Sequence, residues 1–288
     1  MNQRIAVVTG AGSGFGRLTA QALARAGWRV YATMRDPAGR NAPAAGELRP
    51  AGITVVELDV TSDASVDAAA RTILGNGGSV DLLVNNAGTG YFGIEEAYTP
   101  AAAERQFATN VIGPLRVNRA FLPAMRERRS GLVVYVSSVA GRLVVPFGAI
   151  YGASKFALEV LAEASSYELA PFGVDVAIVE PGAYPTDILT GIVGADDAER
   201  VAAYGAVAHF AEQIASGLQE SAAGRDPQEV ADTIVRLAGL PAGERPLRTV
   251  VPGNPGVTAI NAALAPIQRE ALKRMGLETL LPKASASK

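Results

Sequence analysis

Cysteine is absent from this chain, which rules out a disulfide framework, a thiol nucleophile and any cysteine-ligated metal. Histidine is nearly absent. His209 stands alone and cannot build a histidine cluster, so metal chemistry is not expected. No strong charge of one sign is present either: the formal net charge is −2, with acidic and basic residues mixed along the chain. That balance gives no electrostatic footprint for nucleic acid or an anionic membrane surface. Long hydrophobic runs are missing too, since no uninterrupted apolar stretch approaches the ~20 residues of a membrane span. An apolar, strand-like run begins at Ile5 without the basic flank, apolar core and cleavage site of a signal peptide. The expectation is a cytoplasmic protein with a small, neutral partner and no membrane insertion.

What is present is alternation. Short Val/Ile-rich runs alternate with longer Ala/Leu-rich ones, the pattern of parallel strands joined by crossover helices. Strands are expected near residues 5–9, 30–34, 54–58, 82–85, 132–137, 174–179 and 249–251. Helices are expected near 14–26, 65–74, 102–128, 151–171 and 198–219, and over 227–238 with Asp226 as cap and Pro227 at the first helical position. With no repeat and no polar linker, residues 1–282 form one α/β domain, a Rossmann-like doubly wound parallel sheet with helices on both faces. Within it, residues 184–225 are a substrate segment and 252–282 a C-terminal extension, while the tail 283–288 is expected to be disordered.

The first strand runs straight into Thr9-Gly10-Ala11-Gly12-Ser13-Gly14-Phe15-Gly16, followed by a helical stretch. Glycines permit positive φ and let backbone N–H groups approach a pyrophosphate at a helix N-terminus. The spacing is T-G-x-x-x-G-x-G rather than G-x-G-x-x-G. A nucleotide is therefore expected, but the turn alone does not identify a reaction.

Tyr151-Gly-Ala-Ser-Lys155 opens a helix, and i,i+4 spacing puts phenol and ammonium on one face. A tyrosine titrates near ~10, so a neighbouring positive charge favours its phenolate. Such a tyrosine can protonate a carbonyl during reduction or deprotonate an alcohol during oxidation. Ser138 follows the strand 132–137, at the carboxyl edge where open α/β sheets bind ligands. Y-x-x-x-K alone is a frequent accident; the combination is not.

Together these residues closely resemble the short-chain dehydrogenase/reductase family. The resemblance spans at least residues 4 to 190 and includes Asp59-Val60, Asn85-Asn86-Ala87-Gly88, Asn110, Ser137-Ser138, Tyr151/Lys155 and Pro181-Gly182 followed by Thr186. It implies that Tyr151 is the acid/base, Ser138 orients the carbonyl, Lys155 holds the nicotinamide ribose and lowers the tyrosine pKa, and Asn110 supports a water-linked proton path. The implied cofactor groove comprises Gly10, Ser13, Gly14, Phe15, Gly16, Arg35, Asp59, Val60, Asn86, Ala87, Gly88, Tyr151, Lys155, Pro181, Gly182 and Thr186. The family's spacing selects Ser138 over its neighbour Ser137.

A count of about 20 residues past the glycine turn reaches Arg35 and Asp36, and an acidic ribose-binding residue would there select Asp36 and NAD(H). The resemblance instead puts the NAD-selective position at the strand end, Met34, and a phosphate-contacting base immediately after it. Arg35 supplies that base, a planar and permanently charged donor. NADP(H) is the expected cofactor, with NAD(H) possible.

The sequences around Val30 and Tyr151 resemble the hydroxysteroid and retinol dehydrogenase branch, implying a hydrophobic ketone, aldehyde or secondary alcohol. Candidate pocket walls are 90–92, 143–147 and 184–211, with Tyr91, Phe92, Phe147 and Tyr184 as aromatic contacts. After Tyr151 the helix is apolar on more than one face, and the resemblance implies a homodimer or homotetramer. The competing class is a non-catalytic NADP(H)-binding regulatory protein on the same fold. Intact Ser138, Tyr151 and Lys155 favour the enzyme.

Overall fold

A computed structural model describes residues 3–282 of the chain. Its strands are β1 (Ile5–Val8), β2 (Arg29–Met34), β3 (Thr54–Glu57), β4 (Leu82–Asn85), β5 (Gly131–Val136), β6 (Val174–Pro181) and β7 (Arg248–Val251). They form one seven-stranded sheet in the order β3-β2-β1-β4-β5-β6-β7, and every pairing is parallel. The helices are α1 (Gly14–Arg25), α2 (Ala42–Leu48), α3 (Asp63–Gly77), α4 (Pro100–Phe107), α5 (Gly113–Arg128), α6 (Ala149–Leu169), α7 (Asp187–Thr190), α8 (Ala198–Ala203), α9 (Ala208–Ala222), α10 (Gln228–Gly239) and α11 (Pro255–Arg274).

The strands β1 and β5 and most of β4 are apolar because both faces of the sheet are covered. Side chains alternate between two cores: Ala6 and Val8 of β1, with Leu82 and Val84 of β4, join Leu23 of α1 and Ile234 of α10. Ile5, Val7 and Leu83 turn the other way, toward Ile73 of α3, Phe121 of α5 and Leu158 of α6. Each Val, Leu, Ile or Phe among these, fully buried, contributes ~1.5–3 kcal/mol.

Departures from the expected elements have local causes. The single helix expected over 102–128 is α4 and α5 joined by a π-turn at Ala108–Ile112. Pro114 has no N–H to return to the Asn110 carbonyl four residues earlier, and the ladder widens just before it. The helix expected over 198–219 breaks into α8 and α9 around Gly205, whose φ is +51°. Neither α2 nor α11 was expected. Asp226 accepts from the Gln228 N–H at 2.9 Å, but α10 starts at Gln228, so Pro227 rather than Asp226 occupies the capping position and the helix begins one residue later than expected. The expected disordered tail lies outside the described residues.

The strand order reverses direction between β1 and β4. Loops leaving their carboxyl ends diverge there and open a cleft. Among the described residues, no helix is long and apolar enough to cross a membrane.

Candidate active site

The floor of the cleft is the turn from β1 into α1. Gly10 has φ +65°, and a Cβ there would lie 2.8 Å from the Ala87 Cα, so the turn needs both the conformation and the missing side chain. A Cβ on Gly16 would sit 2.4 Å from the Gly10 carbonyl oxygen and from Asn86 Nδ2. Thr9 locks this turn to the next strand: its hydroxyl donates to the Val84 carbonyl (3.1 Å) and accepts from the N–H groups of Asn86 (3.0 Å) and Ala87 (3.1 Å). Asn86 replies by donating Nδ2 to the Thr9 and Gly10 carbonyls at 2.9 and 3.2 Å. Thr9, absent from the expected site residues, was signalled by the threonine that opens the motif. Ser13, Gly14 and Phe15 at the start of α1 line the cleft, where unpaired helix N–H groups favour an anion.

The cleft, about 430 Å³ in volume, runs from that turn past Arg35, Asp59 and Gly88 to Ser138, Tyr151 and Lys155. Its far wall includes Pro181, Gly182 and Thr186. Of the expected site residues, Gly16 and Asn110 stand behind the lining. Gly16 permits close packing. Asn110 is buried in the π-turn, where Nδ2 donates to the Thr89 carbonyl (3.0 Å) and the Ser154 hydroxyl (3.1 Å) while Oδ1 accepts from the Thr89 N–H (2.9 Å). Ser154 in turn donates to the Tyr151 carbonyl at 2.7 Å, so Asn110 fixes the start of α6.

Around the reacting position, Ser138 accepts from the Ala140 N–H at 3.1 Å and lies within hydrogen-bonding reach of the Tyr151 phenol. Ser137, by contrast, buries its hydroxyl without a partner against Gly141. Lys155 donates Nζ to the Val136 carbonyl at 2.9 Å, with the ammonium 5.8 Å from the Tyr151 ring centre. Burial pushes the Tyr151 pKa above its ordinary value, opposed by the Ser138 hydrogen bond. Desolvation dominates, and no lowering of the phenol by Lys155 accompanies it here. Burial also lowers Lys155 to about 8, against the opposing pull of Glu159.

The aromatic expectations divide. Phe92 packs on Tyr151 with ring centres 5.3 Å apart, and Tyr91 and Tyr184 also line the cleft. Phe147 does not, and of residues 143–147 only Val145 reaches it. Tyr184 is anchored by donating to Glu229 at 2.8 Å. From 184–211 the lining ends at Val193, while Leu218 of α9 contributes from outside that range. His209 is exposed, with Glu212 at 3.8 Å, and lies outside the cleft.

A glycine cradle at a topological switch point, opening onto a buried Ser/Tyr/Lys group, defines a dinucleotide-dependent oxidoreductase. A sequence profile described as short chain dehydrogenase matches residues 4–197. Retinol dehydrogenase 8 of Bos taurus is 37% identical over 260 residues, covering 85% of this chain and 80% of that protein. 17-beta-hydroxysteroid dehydrogenase type 1 of Mus musculus is 35% identical over 249 residues, covering 84% and 72% respectively. A metagenomic short-chain oxidoreductase solved in complex with NADP superposes with a TM-score of 0.66 at 29% identity, over 86% of this chain and 96% of that one. The chain belongs to the short-chain dehydrogenase/reductase family and resembles its hydroxysteroid and retinol dehydrogenases.

Proposed function

We propose that the protein transfers a hydride between NADP(H) and a hydrophobic ketone, aldehyde or secondary alcohol, with Tyr151 as acid/base. The observation that carries this is the convergence of Ser138, Tyr151 and Lys155 in one wall of the cleft that begins at the glycine turn. The cofactor, when bound, supplies or accepts the hydride. Tyr151 gives its phenolic proton to the substrate oxygen in reduction and takes it back in oxidation. Ser138 Oγ orients that oxygen, and the Lys155 ammonium stabilises the phenolate left behind. Phe92, Tyr91, Val145, Ile188, Val193 and Leu218 supply apolar wall for the substrate.

Arg35 supports the choice of NADP(H). It lines the cleft just past the end of β2, whereas Asp36 does not. The Asp36 carboxylate is occupied by the N–H groups of Gly39 (2.9 Å) and Arg40 (2.7 Å). Self-association as a homodimer or homotetramer is part of the proposal, supported by Phe156 and Val160 on α6, which remain 37% and 68% exposed.

Following NADPH absorbance against steroids, retinoids, aryl ketones, aliphatic aldehydes and oxoacyl compounds tests the reading. Turnover of any one supports the enzyme. Tight NADPH binding without turnover of any would favour a regulatory NADP(H)-binding protein. Between the two adjacent serines, Ser138→Ala should lower turnover on the order of 10²-fold, as for loss of one donor at a reacting oxygen. Ser137→Ala removes a hydroxyl that bonds nothing and should have a much smaller effect. The opposite ranking in steady-state kinetics would move the role to Ser137.

A further inference from the structure

Behind the cleft wall lies a buried charge cluster that the hydride-transfer scheme does not use. Glu159 of α6 and Glu180 of β6 are 1% and 0% exposed. Both face the same guanidinium nitrogen, Arg248 Nε, at 2.9 and 3.6 Å. The other arm of Arg248 is spent on Glu163, 2.6 Å away, which also accepts from Tyr167 at 2.7 Å. From α11, Asn261 donates to Glu180 at 2.7 Å and accepts from Arg142 at 2.8 Å. One oxygen of Glu159, one oxygen of Glu180 and the Ser137 hydroxyl all remain buried without a hydrogen-bond partner.

Two buried carboxylates sharing one guanidinium nitrogen do not both ionise freely. Burial first, and then the charge of Glu159, raises Glu180 to about 7; Asn261, Arg248 and Arg142 pull the other way. The cluster is also wired to the catalytic wall. Glu159 lies one helical turn beyond Lys155, and its charge opposes the desolvation that strips the ammonium of its proton. Gly141 keeps the elements close: a Cβ there would meet Ser137 Oγ at 2.8 Å, Glu159 Cγ at 3.1 Å and the Lys155 carbonyl at 3.2 Å. Glu180 directly precedes Pro181, whose carbonyl accepts from Ser138 at 3.4 Å.

We propose that Glu159 and Glu180 are a positioning pair for Lys155: the Glu159 carboxylate, one helical turn away, favours the ammonium, and Glu180, which shares Arg248 Nε with Glu159, sets how far the guanidinium offsets that charge. This rests on the reading that Lys155 serves Tyr151. The pair thus opposes the loss of the Lys155 proton that burial brings down to about 8.

The test reads Lys155 and the carboxyl groups directly in the cofactor-free protein. Lys155, Lys273, Lys283 and Lys288 are the lysines of the chain, so selective ¹³C labelling of lysine and glutamate gives an assignable NMR titration. In the wild type one glutamate carboxyl should titrate near neutrality, and it should vanish in Glu180→Gln. The Lys155 midpoint should fall by about half a unit or more in Glu159→Gln. It should fall by less in Glu180→Gln and stay near the wild-type value in Glu159→Asp, which keeps the charge. Stability gives a second readout: the raised Glu180 pKa stabilises the fold fully below the ordinary carboxylate range, and this contribution is lost as pH rises through about 7. Denaturant midpoints should show that decline in the wild type and not in Glu180→Gln. The proposal is overturned if every wild-type glutamate titrates in the ordinary range, if the Lys155 midpoint is unmoved in Glu159→Gln, or if Glu159→Asp lowers it as far as Glu159→Gln does. Should Glu159→Gln fail to fold, the wild-type titration and Glu180→Gln decide the matter. None of these measurements requires turnover, so loss of the Tyr151 assignment and loss of this proposal are separable.

Discussion

Replacing Tyr151 by phenylalanine should lower turnover at least ~10²-fold while leaving NADPH binding intact. The substitution removes only the transferable proton. The ring stays packed against Phe92, and Ser138 keeps its backbone partners at Ala140 and Pro181, so the local fold has no reason to shift. Lys155 is held independently by the Val136 carbonyl and does not depend on the phenol for its place. A loss confined to kcat, with an unchanged NADPH fluorescence titration, is the signature of a missing acid/base rather than a damaged pocket. Near-normal turnover in Tyr151→Phe would reject the assignment outright. Burial raises the phenol's pKa, which favours the protonated form that gives a proton in reduction. The reverse direction then leans more heavily on Lys155, and Tyr151→Phe should impair oxidation of an alcohol as much as reduction of a carbonyl.

The fold was legible because parallel strands buried on both faces read as unbroken apolar runs, and all seven expected strands overlap strands of the sheet. Helix limits were less legible. The Pro114 π-turn and the Gly205 break interrupt stretches whose composition is helical on either side. For the long helix α11, few side chains are buried, and a periodic core-facing stripe is correspondingly weak. In the site, spacing found the glycine turn and the Tyr151/Lys155 pair, because both lie within one turn or one helix. It did not show that Asn86 and Asn110 spend their side chains on neighbouring backbone, since Thr9 and Thr89 lie far from them in sequence. The Arg248 cluster was invisible for the same reason. Its members come from α6, β6, β7 and α11, and no local motif joins them.

Arg35→Ala should weaken NADPH about tenfold to a hundredfold and NADH far less. A lost charged hydrogen-bonding partner costs on the order of 1.5–3 kcal/mol, which converts to that range of affinity. Position decides between Arg35 and its acidic neighbour. β2 ends at Met34, which lines the cleft, and Arg35 follows directly and lines it together with Asn41. Asp36 adopts φ +45° and directs its carboxylate back to its own turn, onto the N–H groups of Gly39 and Arg40. Removing that carboxylate altogether would loosen the turn that carries Arg35. Asp36→Asn is the sounder comparison, because asparagine tolerates the left-handed region and retains an acceptor oxygen. Asp36→Asn should spare NADPH binding or improve it slightly by taking a negative charge away from a phosphate. Fluorescence titration of both cofactors at one ionic strength checks the pair of variants, with salt held fixed because screening would otherwise mimic the loss. If the wild type prefers NADH, and Asp36→Asn abolishes that preference while Arg35→Ala leaves it, then the carboxylate reads the ribose and the assignment of NADP(H) through Arg35 fails.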